Sequence, residues 1–135
     1  MNTKEKTSIA LLILVLPLLG QATENPCTEI KVSQQVAQCA KYRKDKSDTL
    51  LNLTYKNTFE KIKIQYINQP KLSRQYIETL KTAQRAWLRL RDADCKLEAF
   101  QIEETAEAYQ TTLDNCTTKF NYDRIKFLDE VTANL

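Results

Sequence analysis

The chain has 135 residues, 42% of them hydrophobic, and 20 Lys and Arg against 17 Asp and Glu give a formal net charge of +3. That length and apolar content predict one compact domain, and so even a charge balance excludes nucleic-acid binding that rests on bulk charge. The absence of His removes the commonest general base and metal ligand, and the single glycine, Gly20, excludes a glycine-rich phosphate loop.

The first segment reads as an export leader. Lys4 and Lys6 precede a nearly continuous aliphatic run from Ile9 to Leu19, and Gly20-Gln21-Ala22 places small residues at the −3 and −1 positions of a cleavage site. The run is well short of the roughly twenty residues that cross a bilayer. Cys27 follows Glu24-Asn25-Pro26, which is not a lipobox. Residues 1–22 are therefore expected to be a cleaved signal peptide, residues 23–135 the single domain, and the destination the periplasm or the exterior.

Residues 23–135 retain no Gly and keep all four cysteines, Cys27, Cys39, Cys95 and Cys116. Tight hairpins draw on residues of positive φ, so a glycine-free chain disfavours a many-stranded fold. Helical spacing is present instead. Val32, Val36 and Cys39 form a first stripe; Leu51, Tyr55, Phe59, Ile62 and Tyr66 a second. Tyr76, Leu80, Ala83, Trp87 and Leu90 form a third, and Tyr109, Leu113, Cys116, Phe120 and Phe127 a fourth. Asn68-Gln69-Pro70 is the clearest break, since Pro disfavours helix at the residue before it and suits the first turn of the next. Lys41–Asp48 reads either as a short link or as a solvated helical turn. A second reversal belongs between about Phe100 and Ala108, where no Gly or Pro marks it. The fold class is all-α: a small antiparallel bundle of three to four helices.

An even number of cysteines in an exported small protein reads as two disulfides, and without CxxC pairs or His a zinc site is not expected. If residues 28–38 are helical, Cys27 and Cys39 lie about 18 Å apart at ~1.5 Å per residue, too far to bridge. Cys39 then pairs with Cys95 or Cys116, and Cys27 with the other. If that segment is not helical, the sequential pairs 27–39 and 95–116 return.

Two stretches carry a resemblance. Asp48-x-x-Leu51-Asn52-x-x-Tyr55 precedes Leu80-x-x-Ala83-Gln84-Arg85-Ala86-Trp87-x-x-x-Arg91-Asp92-x-x-Cys95, and Cys116 with Arg124 and Leu128 completes the series. Together they resemble the LprI-type lysozyme-inhibitor family, small exported helical domains of bacteria. The match runs from about Cys27 to Leu128, and Trp87 to Cys95 is its specific part. The resemblance implies an envelope protein that binds and blocks a lysozyme. Family members carry a Gly-Gly-Ser element between the third and fourth cysteines, where this chain has Glu98-Ala99-Phe100-Gln101-Ile102-Glu103-Glu104-Thr105-Ala106-Glu107.

Trp87, Arg91 and Cys95 fall at i, i+4 and i+8 and share one helix flank. Their spacing predicts scaffold: Trp87 and Tyr55 in the core, Arg91 or Asp92 bridging helices, Asn52 satisfying a buried backbone group. Charge is unevenly placed. Residues 31–91 hold 14 Lys and Arg against 4 Asp and Glu, whereas residues 92–114 hold seven acidic residues against Lys96 alone. An acidic reversal is attracted to a basic lysozyme, so Glu98, Glu103, Glu104 and Glu107 are candidate contacts, with Phe100 or Ile102 as the desolvated anchor. The basic segment also suits anionic head groups or acidic envelope polymers. The alternative to inhibition is an envelope interaction, structural or toxin-immunity module without lysozyme activity. Catalysis is not expected, because the adjacent carboxylates Asp92/Asp94 and Glu103/Glu104 do not face one substrate bond. No cofactor is expected either.

Overall fold

A computed structural model describes residues 25–135, which form three helices: α1 (Ser33–Gln65), α2 (Pro70–Glu98) and α3 (Glu107–Ala133). The proposed leader lies outside the described residues. Among the described residues there is no strand, and no helix is long and apolar enough to cross a membrane.

Both chain reversals lie where the sequence placed them, and neither uses positive φ. At the first, the Tyr66 amide donates back to the Ile62 carbonyl, and Pro70 opens α2 at a position whose missing N–H costs nothing. At the second, the Ile102 amide donates to the Ala99 carbonyl and the Ala106 amide to the Glu103 carbonyl, both at 2.9 Å. Two such turns reverse the chain without glycine. Glu107 then sits in the first turn of α3, where its charge complements the helix dipole.

The Lys41–Asp48 segment is continuous helix inside α1, so the bundle has three helices and not four. Its polarity is accommodated by pairs one helical turn apart, Lys41 with Asp45 at 2.6 Å and Lys44 with Asp48 at 3.1 Å. The hydrogen bond to Lys41 holds the Asp45 carboxyl below its ordinary range, and the one to Asp48 raises the Lys44 amine.

α3 packs chiefly on α1, with α2 lying more loosely across the pair. The α1 face turned to α3 is made of small and aliphatic residues, Ser47, Leu51, Thr54, Thr58 and Ile62, all buried. The Thr58 hydroxyl donates to the Thr54 carbonyl at 2.9 Å, which satisfies it inside the seam. Tyr55, Phe59 and Tyr66 are half-buried on the adjoining flank, where Tyr66 stacks on Tyr76 of α2 with ring centroids 5.9 Å apart. The core proper joins Leu51 and Ile62 to Ile77 and Leu80 of α2 and to Ile125 and Leu128 of α3. Five stripe residues assigned to the core, Val32, Val36, Ala83, Leu90 and Phe127, are exposed instead. α1 begins only at Ser33 and its first turns extend past the core, while on α2 the inward line runs through Ile77, Leu80, Gln84, Arg91 and Cys95 and leaves Leu90 outside.

The disulfides are Cys27–Cys39 and Cys95–Cys116, with Cα separations of 4.9 and 5.5 Å. The crossed pairing expected from a helical 28–38 segment is overturned, because residues 28–32 are not helical. A turn at Asn25–Thr28, in which the Cys27 amide donates to Asn25 Oδ1, doubles the chain back beside α1. Gln35 anchors that return by accepting at Oε1 from the Val32 amide at 3.2 Å. The second bridge closes the α2–α3 hairpin.

Candidate functional site

The family-like signature folds into a polar layer that joins all three helices. Asn121 on α3 is fully buried, and its Nδ2 donates to Ser47 Oγ at 2.9 Å and to Asp48 Oδ1 at 2.7 Å, both on α1. Its Oδ1 accepts from Arg91 Nη1 of α2 at 3.0 Å. Arg91 also approaches Asp48 at 3.8 Å and pairs with Asp92 at 2.7 Å. Arg91 is thus the residue that bridges helices, while Asp92 stays exposed and serves Arg91 within α2. Ser47 and Asn121 were not singled out in the sequence. A signal existed for Asn121, which stands seven residues from both Asp114 and Leu128, all three buried on one line of α3.

A second polar contact lies one turn further along. Arg124 of α3 is only 8% exposed, and its Nε donates to Gln84 Oε1 at 3.0 Å. Its guanidinium lies 5.5 Å from the Trp87 ring centroid and 4.8 Å from that of Phe127. Arg91 approaches the Trp87 ring at 5.4 Å, so the half-buried Trp87 is flanked by two cations and packs against the core. Among the described residues Arg124 has no carboxylate partner, and its Nη2 is buried without a hydrogen bond. Desolvation lowers its pKa, a shift that neighbouring Tyr55 opposes.

Because α2 stands off α1, an open groove of about 480 Å³ runs between them. Asp48, Asn52 and Tyr55 line it from α1, and Lys81, Gln84, Arg85 and Arg91 from α2, over a floor of Leu51 and Leu88. Asn52 is exposed there and makes no hydrogen bond among the described residues, so it does not serve a buried backbone group.

The acidic residues lie elsewhere. Glu98, Glu103, Glu104 and Glu107 are exposed around the α2–α3 reversal. Phe100 is 80% exposed and Leu97 72%, while Ile102 is half-buried. Cys95–Cys116 is anchored in buried surroundings directly beneath this reversal. The bundle therefore carries an exposed aromatic ring on a reversal that also exposes four glutamates, and a separate groove along its flank. Among the described residues no group of His, Cys, Asp and Glu is arranged to hold a metal.

Residues 25–128 match the family model described as lysozyme inhibitor LprI. The chain belongs to the LprI family. A crystal structure of a DUF1311 family protein, the same family, from Pseudomonas putida KT2440 superposes with a TM-score of 0.69 at 24% identity, over 79% of this chain and all of the other. That likeness shows a shared fold. No curated protein is significantly similar to the chain. The LprI match spans the polar layer, the groove and the acidic reversal alike.

Proposed function

We propose that this LprI-family chain is an exported, non-catalytic protein that binds a lysozyme and blocks its cleft through the α2–α3 reversal. The observation that carries the reading is Phe100, 80% exposed on a reversal whose neighbouring residues Glu98, Glu103 and Glu104 are exposed too. A large apolar side chain held in water has no folding benefit there, whereas at an interface an aromatic anchor inside a polar rim supplies most of the binding energy. The carboxylates are matched to a basic enzyme surface, and the disulfide beneath the reversal limits the ordering cost of association. Export fits the two disulfides and the leader-like first 22 residues.

The test is inhibition of cell-wall lysis by a lysozyme, titrated with oxidised protein. Stoichiometric loss of lysis is expected. Phe100→Ala combined with Glu103→Lys and Glu104→Lys should raise the inhibitor concentration required by at least about 100-fold, the scale of losing one anchor and its charged rim. Lysis that proceeds unchanged beside excess wild-type protein rejects the reading. It would favour the module without lysozyme activity, whose partner is then sought by capture from envelope extract.

A further inference from the structure

We infer that the α1–α2 groove is a binding site for an acidic sugar, a ring bearing a carboxylate beside hydroxyl or amide groups. This site is separate from the reversal assigned to lysozyme. Its charge comes first. Lys81 is paired with Glu78, Arg91 with Asp92 and Asp48, and Lys44 with Asp48. Among the described residues two cations at the groove have no carboxylate partner: Arg85 on its wall and Arg124 behind Gln84. Arg85 is held only by donation from its Nε to the Lys81 carbonyl at 3.4 Å, which leaves its Nη groups for a ligand.

Arg124 is the more telling of the two. Arg124 is 8% exposed as a residue, and its guanidinium makes one hydrogen bond and keeps a buried, unpartnered Nη2, so its charge is only partly compensated. Trp87 and Phe127 offer it only ring faces. Its field is therefore felt in the adjacent groove, where an anion would relieve it. Gln84 links the two, since accepting from Arg124 at Oε1 leaves its Nε2 as a donor.

The remaining lining selects the kind of anion. Asn52 and Gln84 are planar amides with spare hydrogen-bonding capacity, suited to hydroxyl and acetamido groups. Half-buried Tyr55 provides an aromatic surface and Leu51 and Leu88 an apolar floor, as the less polar face of a sugar ring requires. A volume of about 480 Å³ falls in the range of small-ligand sites.

The test uses the oxidised protein and four probes: N-acetylmuramic acid, glucuronic acid, N-acetylglucosamine and inorganic phosphate. Binding is followed through backbone amide shifts and calorimetry. Both acidic sugars are expected to bind and to shift the amides of residues 52, 84 and 85, and the tighter of the two identifies whether a lactyl ether or a uronic acid is the natural source. N-acetylglucosamine and phosphate should bind at least about tenfold more weakly, each lacking half of the recognised chemistry. Arg85→Gln and Asn52→Ala, both at exposed positions, should each weaken acidic-sugar binding by at least about fivefold, while Glu103→Lys with Glu104→Lys leaves it unchanged. Acidic-sugar binding that survives R85Q, or is matched by phosphate or N-acetylglucosamine, overturns the site, as does silence toward all four probes. None of these outcomes depends on inhibition of a lysozyme.

Discussion

Asn121 and Arg124 sit one turn apart on α3 and illustrate opposite fates for buried polarity. Asn121 is saturated: both termini of its amide are engaged, with groups from α1 and α2. Asn121→Ala removes two hydrogen bonds to charged partners and a third to Ser47, whose hydroxyl keeps its bond to the Lys44 carbonyl, so a loss of about 3 kcal/mol is expected in urea unfolding, with the slope unchanged. Arg124 is under-satisfied, and a well-packed apolar side chain of similar length avoids its desolvation. Arg124→Met should therefore shift stability by no more than about 1 kcal/mol while weakening acidic-sugar binding. A large destabilisation by R124M would mean that its stacking on Trp87 and Phe127 outweighs the buried charge. Sequence spacing foretold that Trp87, Arg91 and Cys95 share a structural flank. It did not foretell the groove beside that flank, which depends on how far α2 stands from α1. Nor did it mark Ser47, whose role exists only because Asn121 arrives from 74 residues away.

At the level of elements, the helices and both reversals were legible because their causes are local. A chain without glycine has few ways to turn sharply, and Pro70 fixes a helix start wherever it stands. The Lys41–Asp48 stretch stayed ambiguous because ion pairs one turn apart support a helix that apolar periodicity does not report. The disulfide pairing was not legible, since it turns on whether five residues, 28–32, are extended or helical. The two bridges should accordingly differ in weight. Cys95–Cys116 closes a hairpin between packed helices, so Cys95→Ser with Cys116→Ser is expected to lower stability by about 3 kcal/mol through the freed entropy of the unfolded chain. Cys27–Cys39 ties down an arm outside the helical core. Without it the arm loosens in the folded state too, the entropy gain largely cancels, and Cys27→Ser with Cys39→Ser should cost less than about 1 kcal/mol. Equal costs in urea unfolding would show that the arm is integral to the cooperative unit.

Across the whole molecule, fourteen basic residues between 31 and 91 and seven acidic ones between 92 and 114 put the two signs on different parts of one rigid bundle. Such a distribution orients the protein before contact, because a basic partner is drawn to the reversal and repelled by the α1–α2 hairpin. If lysozyme meets the reversal, charge governs arrival and the Phe100 ring governs residence. The association rate should then fall about tenfold between roughly 20 and roughly 200 mM salt, as the screening length contracts from about 20 to about 7 Å. Dissociation should barely respond to salt. Phe100→Ala should do the converse, leaving association near its wild-type rate and accelerating dissociation, since loss of a desolvated anchor is felt after docking. Stopped-flow association and chase-driven dissociation measure the two separately. An association rate that rises with salt would mean that the basic hairpin, and not the acidic reversal, faces the enzyme.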